Sequence, residues 1–151
     1  MSGAAAGAPG TSDISANVLA VTGSGNPGSY TLSVSIESAD IDCSQYADWW
    51  EVLSEDGILL YRRILEHSHT DENGTTDPDA PGNTFTRSGG PVAIEAGTVT
   101  LVRAHMSNVD GYTGRVLRGT VAGGFVEATD LAGDFAEAVE DQAPQPEGCL
   151  F

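Results

Sequence analysis

The chain has no lysine, and its basic side chains are six arginines and three histidines. Against them stand 22 aspartate and glutamate residues, which give a formal net charge of −16 at pH 7. A protein of this charge repels the phosphates of nucleic acids and of anionic membranes. We therefore predict that it binds no nucleic acid. The acidity itself has two interpretations: solubility in salty surroundings, or a surface that binds cations.

Long apolar runs are also missing. No window approaches the roughly 18 uninterrupted apolar residues of a transmembrane helix, so the sequence predicts no membrane span. The first ten residues are rich in alanine and glycine and have neither the basic segment nor the apolar run of a signal peptide. We interpret residues 1–14 as a flexible tether, of the kind that follows the processed N-terminus of secreted or lipid-anchored bacterial proteins. The expected location is therefore secreted or cell-surface.

Cysteine is scarce as well, since the chain contains Cys43 and Cys149 and no others. The absence of a C-x-x-C spacing argues against a zinc ribbon and against a thioredoxin-type pair. We predict one disulfide, which would close a loop of roughly 100 residues and stabilise the fold by about 4 to 5 kcal/mol in the chain-entropy model. Such a bond implies an oxidising compartment. Two buried free thiols are the alternative.

Short β-strands dominate the pattern that is present. Tyr30, Leu32, Val34 and Ile36 alternate with small polar residues, which is the period-two signature of a strand with one buried face. Similar or continuous apolar runs cover residues 17–21, 49–53, 58–65, 91–94, 99–106 and 115–121. No helical crossover lies between them. These roughly seven strands predict an all-β fold, an antiparallel β-sandwich of immunoglobulin or fibronectin-III type over residues 15–126.

The acidic C-terminal residues 127–151 follow a different pattern. Leu131, Phe135 and Val139 recur at i, i+4 and i+8 after the N-cap candidate Asp130. This spacing predicts a short amphipathic helix over residues 130–139. An extended tail would then return Cys149 to the body of the protein.

Two of the three histidines, His67 and His69, lie two residues apart at the end of an apolar run. In a β-strand their side chains would emerge on one face, about 7 Å apart along the backbone. The third, His105, lies in another strand-like run. Neutral imidazoles are ligands for Cu, Zn and Fe, so the pattern predicts a transition-metal site with His67 and His69 as core ligands and His105 as a third. Two half-exposed histidines hydrogen-bonded to neighbouring acids are the alternative.

The loop of residues 71–83 contains four carboxylates and two asparagines. Oxygen donors at this density can hold Ca²⁺, although the spacing is not that of an EF-hand. A solvated acidic loop is the alternative interpretation. Glu72 could also reach the histidines and serve as a metal ligand or general base.

Other side chains suggest binding sites for ligands, but they do not indicate a reaction. Adjacent Trp49 and Trp50 could offer a stacking platform for a carbohydrate, and Arg87 could anchor an anionic small molecule. The sequence shows no Ser-His-Asp arrangement, phosphate-binding loop or dinucleotide fingerprint. It also carries no signal for a particular oligomeric state.

Four short segments of the sequence resemble segments of known proteins. They are Tyr-Ala-Asp-Trp-Trp-Glu-Val beginning at Tyr46, Asp56-Gly57, His-Ser-His-Thr-Asp-Glu beginning at His67, and Phe-Thr-Arg-Ser beginning at Phe85. They resemble a group of small exported bacterial proteins of unknown function, in which the histidine segment runs almost directly into Phe-Thr-Arg-Ser. Residues 73–84 would be an insertion here. The resemblance spans about residues 30–122 and implies a secreted β-sandwich without implying an activity.

A cupin-like β-barrel is the alternative fold, because cupins bind metal through His-x-His, a following Glu and a later His. His67, His69 and His105 could fill three of these places. Glu72 comes too early, Gly57 lies too far upstream, and no Pro-x-Gly precedes His105. Two functions therefore remain: a secreted metal-binding protein, or a non-enzymatic extracellular surface, adhesion or ligand-binding module without a transition metal.

Overall fold

A computed structural model describes residues 14–69 and 83–149 of the protein. These residues form eight β-strands and a 3-10 helix at Glu137–Asp141. The strands are β1 (Ala16–Asn26), β2 (Ser29–Ser38), β3 (Ala47–Ser54), β4 (Leu59–Ile64), β5 (Asn83–Val92), β6 (Thr100–Met106), β7 (Leu117–Thr120) and β8 (Gly124–Glu127). Within these ranges no helix is long and apolar enough to cross a membrane.

The strands form two antiparallel sheets, with the orders β1-β2-β5 and β4-β3-β6-β7-β8. Among the described residues neither sheet closes into a barrel, so the β-sandwich prediction is confirmed over the cupin-like alternative. In constant-type immunoglobulin domains the fourth strand lies beside the fifth, whereas here β4 lies beside β3. Strand β8, with the sequence Gly-Phe-Val-Glu, is too short and too exposed to show a periodic pattern, and the sequence did not predict it.

The core between the sheets follows the predicted alternation. Tyr30, Leu32, Val34 and Ile36 of β2 are all buried, while the residues between them are at least partly exposed. They belong to one hydrophobic cluster with the inward side chains of the other sheet, including Trp50, Val52, Val102, Ala104 and Met106. The period of two therefore identified the inner face of the three-stranded sheet correctly.

The five-stranded sheet is covered on both faces. Every residue of β6 is buried, and so is every residue of β3 except Ser54. The residues that face away from the core pair across these strands, with Trp49 opposite His105, Glu51 opposite Arg103 and Leu53 opposite Leu101. Residues 128–149, called the C-terminal segment below, pack on this outer face through Leu131, Phe135 and Val139.

The C-terminal segment does not form the helix predicted over residues 130–139. It consists of turns followed by the short 3-10 helix, and Ala136 adopts a left-handed conformation with φ of 51°. The carbonyls of Phe135 and Ala136 accept hydrogen bonds from Arg103, a side chain of the sheet below. The apolar spacing therefore predicted which side chains pack against the sheet, but tertiary hydrogen bonds replaced helical ones.

The predicted disulfide is present. Cys43, in the connection between β2 and β3, is bonded to Cys149 with a Cα–Cα distance of 5.5 Å. The bond joins residues 106 positions apart and fixes the end of the C-terminal segment to the body of the sandwich. No free cysteine remains in this chain.

Candidate functional site

The His67-Ser68-His69 segment lies beyond the strand that was expected to contain it. β4 ends at Ile64, so strand alternation does not set the positions of the two imidazoles. Their rings nevertheless lie close together, with 4.6 Å between ring centres and an angle of 41° between planes. The closeness of the rings is therefore a feature of this irregular segment and does not result from strand geometry.

Asp40 holds this segment in place. This residue lies just after β2, and its side chain is fully buried. Oδ1 accepts hydrogen bonds from Ser38 Oγ at 2.6 Å and from the backbone N–H of Ala47 at 2.9 Å. Oδ2 accepts a hydrogen bond from the backbone N–H of His69 at 2.7 Å. One carboxylate therefore ties the end of β2, the start of β3 and the histidine segment together.

His69 is the more buried of the two histidines, with 1 % of its surface exposed. Its ring stacks on Phe85 of β5, with 3.8 Å between ring centres and planes 7° apart. Nδ1 lies 3.6 Å from Asp40 Oδ2, and no hydrogen-bond partner for Nδ1 occurs in the part of the chain that the structure describes. A buried polar atom in this situation requires an explanation, because leaving it unsatisfied costs free energy.

His67 is oriented by its own backbone neighbour. Nδ1 lies 2.9 Å from the carbonyl oxygen of Ser68, and because a carbonyl can only accept, Nδ1 carries the hydrogen. In the neutral ring the lone pair is then on Nε2. Metal-ligating histidines commonly use one nitrogen for the metal while the other donates to a backbone carbonyl, so this tautomer suits a ligand.

His105 occupies a different environment, on the outer face of the five-stranded sheet. Its Nδ1 lies 2.7 Å from Asp48 Oδ1 and its Nε2 lies 2.7 Å from Glu140 Oε2. When both carboxylates are ionised they can only accept, so both ring nitrogens then donate and the ring is an imidazolium. The ring also stacks on Trp49 with 4.0 Å between centres. Each nitrogen of His105 is thus engaged in an ion pair.

Burial and ion pairing determine the pKa values of His105, Asp48 and Glu140. Burial alone would lower the pKa of His105, but the hydrogen bonds and charges of Asp48 and Glu140 outweigh it and raise that pKa above its usual value. Burial raises the pKa of Asp48 despite the neighbouring His105. Burial would also raise the pKa of Glu140, yet hydrogen bonds from the backbone N–H of Gly111 and from His105 hold it below its usual value.

The structure does not bring all the predicted metal ligands together. Across residues 14–69 and 83–149, no group of three or more His, Cys, Asp and Glu side chains is arranged to hold a metal ion. Glu72 and the rest of the suggested calcium loop up to residue 82 lie outside the described residues. The assignment of His105 as a third ligand stays a prediction, and its two ion pairs do not favour it.

A second polar cluster lies beside His105 on the same outer face. Glu51 of β3 is fully buried and accepts hydrogen bonds from Arg62 Nε and Arg103 Nε, each at 2.8 Å. The register explains this arrangement, because Glu51 lies directly opposite Arg62 on β4 and Arg103 on β6. The buried row therefore holds two positive charges and one negative charge.

The remaining donors of the two arginines reach the C-terminal segment. Their acceptors are backbone carbonyls, of Phe135 and Ala136 for Arg103, and of Val139, Gln142 and Pro144 for Arg62. These carbonyls satisfy guanidinium donors that burial has removed from water. The arginine–glutamate row is thus part of the attachment of the C-terminal segment, and it is not an open site.

Aromatic rings complete the packing of this row. Arg62 lies 4.1 Å from the centre of the Trp49 ring, and Arg103 lies 3.4 Å from that of Tyr112. Burial raises the pKa of Tyr112, and the negative charge of Glu51 adds to the shift. Trp49 is 2 % exposed and Trp50 is fully buried, so neither presents its ring as the suggested carbohydrate platform.

Arg87, the suggested anion anchor, is on the partly buried side of β5. Its Nη1 donates a hydrogen bond to the carbonyl oxygen of Thr86 at 2.8 Å, and its guanidinium lies 5.5 Å from the centre of the Phe85 ring. The structure therefore gives Arg87 local contacts within its own strand. Asp40, Asp48 and Glu51 give no functional signal in the sequence, because their partners depend on strand register and on a connection that periodicity does not reveal.

Comparisons with known proteins do not assign the chain to a family or a function. The chain gives no significant match to protein-family models, to curated proteins or to solved structures. The candidate functional features of this chain are therefore two clusters of polar side chains, the histidine pair beside Asp40 and the charged row beneath the C-terminal segment.

Proposed function

We propose that the protein is a secreted β-sandwich protein that binds one transition-metal ion through His67 and His69. The observation that carries the proposal is the distance of 4.6 Å between the centres of the two rings, combined with the buried Nδ1 of His69. Two nitrogens that each lie about 2.0–2.1 Å from one Zn²⁺ can be at most about 4.2 Å apart. Ring centres 4.6 Å apart allow one nitrogen of each ring to lie within that distance of the other. A metal ion would give the buried nitrogen a partner.

Imidazole nitrogen suits Cu, Zn and Fe, and a mixed nitrogen site binds Cu²⁺ more tightly than the other divalent ions of the first row. Glu72 as a further ligand or general base, and Ca²⁺ in the 71–83 loop, stay predictions about residues outside the described ranges. No reaction is proposed, because a metal held by two histidines does not define one.

The secreted location is supported by the disulfide and by the absence, within the described ranges, of a membrane-spanning helix. The resemblance to small exported bacterial proteins and the tether assigned to residues 1–14 belong to the same proposal. A lipid anchor at a processed N-terminus would place the same domain at the cell surface.

Calorimetric titration tests the proposal. Protein prepared without a histidine tag and stripped with a chelator is titrated with Cu²⁺ and with Zn²⁺. We expect near-stoichiometric binding to the parent and its loss in His67→Ala/His69→Ala. His105→Gln is the matched control, because it also removes an imidazole but leaves the pair intact. Binding of both ions to the double variant as tightly as to the parent would overturn the proposal.

The pH dependence provides a second readout. Ligand imidazoles must be neutral and protons compete with the metal for them, so affinity should fall as the solution becomes more acidic. Binding that is unchanged between pH 7.5 and about 5 would point to carboxylate ligands instead of histidines.

The alternative function, a non-enzymatic extracellular surface, adhesion or ligand-binding module, is favoured by one observation. A groove of about 570 Å³ lies between β4 at residues 61–64 and the tail at residues 144–149. It is lined by polar and apolar side chains, including Tyr61, Arg63 and Glu147. A small-molecule or carbohydrate ligand could occupy it, and failure of metal binding in the titration would favour this alternative.

A further inference from the structure

We propose that the groove between β4 and the tail at residues 144–149 is a binding site for a short extended peptide, which adds to the free edge of β4. Neither His67 nor His69 is among the residues that line the groove, so the inference does not depend on the metal site. It gives the alternative function, a ligand-binding module, a chemical class of ligand. β4 is the first strand in the order β4-β3-β6-β7-β8, and across residues 14–69 and 83–149 no strand pairs with its outer edge.

The lining residues show that the groove follows the edge of the strand. Tyr61, Arg62, Arg63 and Ile64 are consecutive residues of β4, and all four line it. Successive side chains of a strand point to opposite faces, so a groove on one face would be lined by alternate residues. A groove lined by consecutive residues therefore lies along the edge, where a ligand can reach the backbone.

The register of β3 against β4 determines which backbone groups face this edge. The N–H of Leu65 donates to the carbonyl of Asp48, so these two residues form a hydrogen-bonded pair. Hydrogen-bonded and non-hydrogen-bonded pairs alternate along an antiparallel ladder, and the register is regular from here to Tyr61. Arg62 and Ile64 therefore belong to non-hydrogen-bonded pairs. Their backbone N–H and C=O groups point away from β3, at the two-residue spacing with which an added strand pairs.

The opposite wall of the groove is held in place at both ends. Nη1 of Arg62 donates to the carbonyls of Gln142 and Pro144, and the disulfide fixes Cys149. A peptide would therefore enter a groove that is already formed, which limits the conformational entropy that the protein loses on binding. The volume of about 570 Å³ is also typical of ligand sites.

The charged side chains along the groove indicate which peptide fits. Arg63 has no carboxylate partner among the described residues, unlike the arginines at positions 62, 103, 115 and 118. Its Nε and Nη1 donate to the backbone carbonyls of Ser88 and Ile64, which fixes the guanidinium and leaves Nη2 for an acidic group of the ligand. Glu66 and Glu147 line the same groove and can bind a basic group. The expected occupant is thus a peptide that carries both charges, and the formal charge of −16 attracts its basic end.

Amide hydrogen exchange, measured by NMR on the full-length protein, tests the pairing with the edge. The probe is a hexapeptide in which valine and threonine alternate between an N-terminal lysine and a C-terminal glutamate. At saturation the exchange of the Arg62 and Ile64 amides should slow by about tenfold or more, because these amides become hydrogen-bonded. The Arg63 amide should not change, since it faces β3. If the probe binds without slowing exchange at Arg62 and Ile64, it does not pair with this edge and the inference is wrong.

Glu147→Gln tests the contribution of the charges, with affinity measured by calorimetric titration of the same hexapeptide. Binding should weaken about two- to fivefold, as expected for the loss of one exposed ion pair. Glu127→Gln is the matched control, because it removes the same charge from β8, at the opposite edge of the same sheet. Equal weakening in the two variants would mean that only the overall charge attracts the probe, and the assignment to the groove would be wrong.

The parent protein also distinguishes a peptide from a carbohydrate as the occupant. Maltohexaose is titrated under the same conditions as the hexapeptide. If maltohexaose binds and shifts the resonances of residues 61–66 but the hexapeptide does not bind, this inference is wrong and the alternative function stands. If neither binds, this inference is wrong and the groove no longer supports the alternative function. Titration with Cu²⁺ and Zn²⁺ tests the metal proposal separately from either result.

Discussion

Glu51 and Arg103 face each other across β3 and β6 in direct register, and the guanidinium Nε lies 2.8 Å from the carboxylate Oε2 in a buried pair. Arg62 occupies the equivalent position on the other side of Glu51. A single carboxylate therefore neutralises one of two arginines that the C-terminal segment covers. We expect the stability of the outer face to depend on Glu51 more than on a surface ion pair, because both arginines are buried with it.

Replacing Glu51 with alanine should destabilise the protein strongly, because it leaves two buried guanidinium groups without a counter-charge. Removing one member of a buried ion pair typically costs about 3–5 kcal/mol. Urea denaturation measures the change in the free energy of unfolding. Glu127→Ala is the control, since its pair with Arg115 spans 3.6 Å at the surface and should contribute little. Equal effects of the two variants would contradict the prediction.

His105 should make the stability depend on pH on the alkaline side. Its pKa is raised in the folded protein, so its contribution is fully present below its unfolded pKa of about 6.5 and is lost as the pH rises through the folded value. The melting temperature should therefore decrease above neutrality. In His105→Gln this part of the decrease should disappear, and a variant that keeps the slope of the parent would show that another group causes it.

Glu140 should contribute on the acid side. Its folded pKa is lowered, so its stabilisation is present above its unfolded value and is lost as the pH falls through the folded value. Glu140→Gln should flatten that part of the stability profile and reduce the raised pKa of His105, which NMR titration of the ring would detect. Because burial raises the pKa of Asp48, Asp48→Asn is measured alongside to separate the two carboxylates.

The disulfide should be detectable in the intact mass, which is expected to be two hydrogens lighter before reduction than after it. Removing it in Cys43→Ser/Cys149→Ser should cost about 2–5 kcal/mol of stability, since the cross-link no longer restricts the unfolded chain. Amide hydrogen exchange should rise most in residues 137–149. Uniform loss of protection over β1 and β2 instead would mean that the bond supports the whole sandwich.

Salt should stabilise the protein. With a formal charge of −16, repulsion between surface carboxylates opposes the compact state at low ionic strength. The melting temperature should rise between ~10 mM and ~1 M NaCl, as the Debye length falls from about 30 to 3 Å. A flat or falling dependence would show that the surface charges are separated or already paired.

The sequence predicted the features that depend on local periodicity. The alternation from Tyr30 to Ile36 and the apolar runs that became β4 and β6 appear as expected. Six of the eight strands contain a recognised run or lie within one, whereas β5 shares only residues 91 and 92 with the run at 91–94 and β8 was not recognised. In a strand with one buried face every other side chain is buried, so the sequence of that segment alone is sufficient to predict the strand.

Apart from the disulfide, which the presence of two cysteines alone indicated, features that depend on pairing between distant segments were not predicted. The partners of Glu51 became visible only with the register of β3 against β4 and β6. Asp40 joins three segments through hydrogen bonds, and none of them produces a pattern in sequence. The spacing of Leu131, Phe135 and Val139 correctly predicted which side chains are buried, but it did not predict their backbone conformation. Arginines of the sheet donate hydrogen bonds to backbone carbonyls that a helix would have used.

The attachment of the C-terminal segment has a consequence for the rate of folding. Arg62 reaches carbonyls 77 to 82 residues further along the chain, and the disulfide spans 106. Contacts of such separation form slowly, because the chain must close large loops before the contacts can stabilise it. In any intermediate that forms before this closure, the guanidinium groups of Arg62 and Arg103 remain hydrated, and their dehydration becomes a late step on the folding pathway.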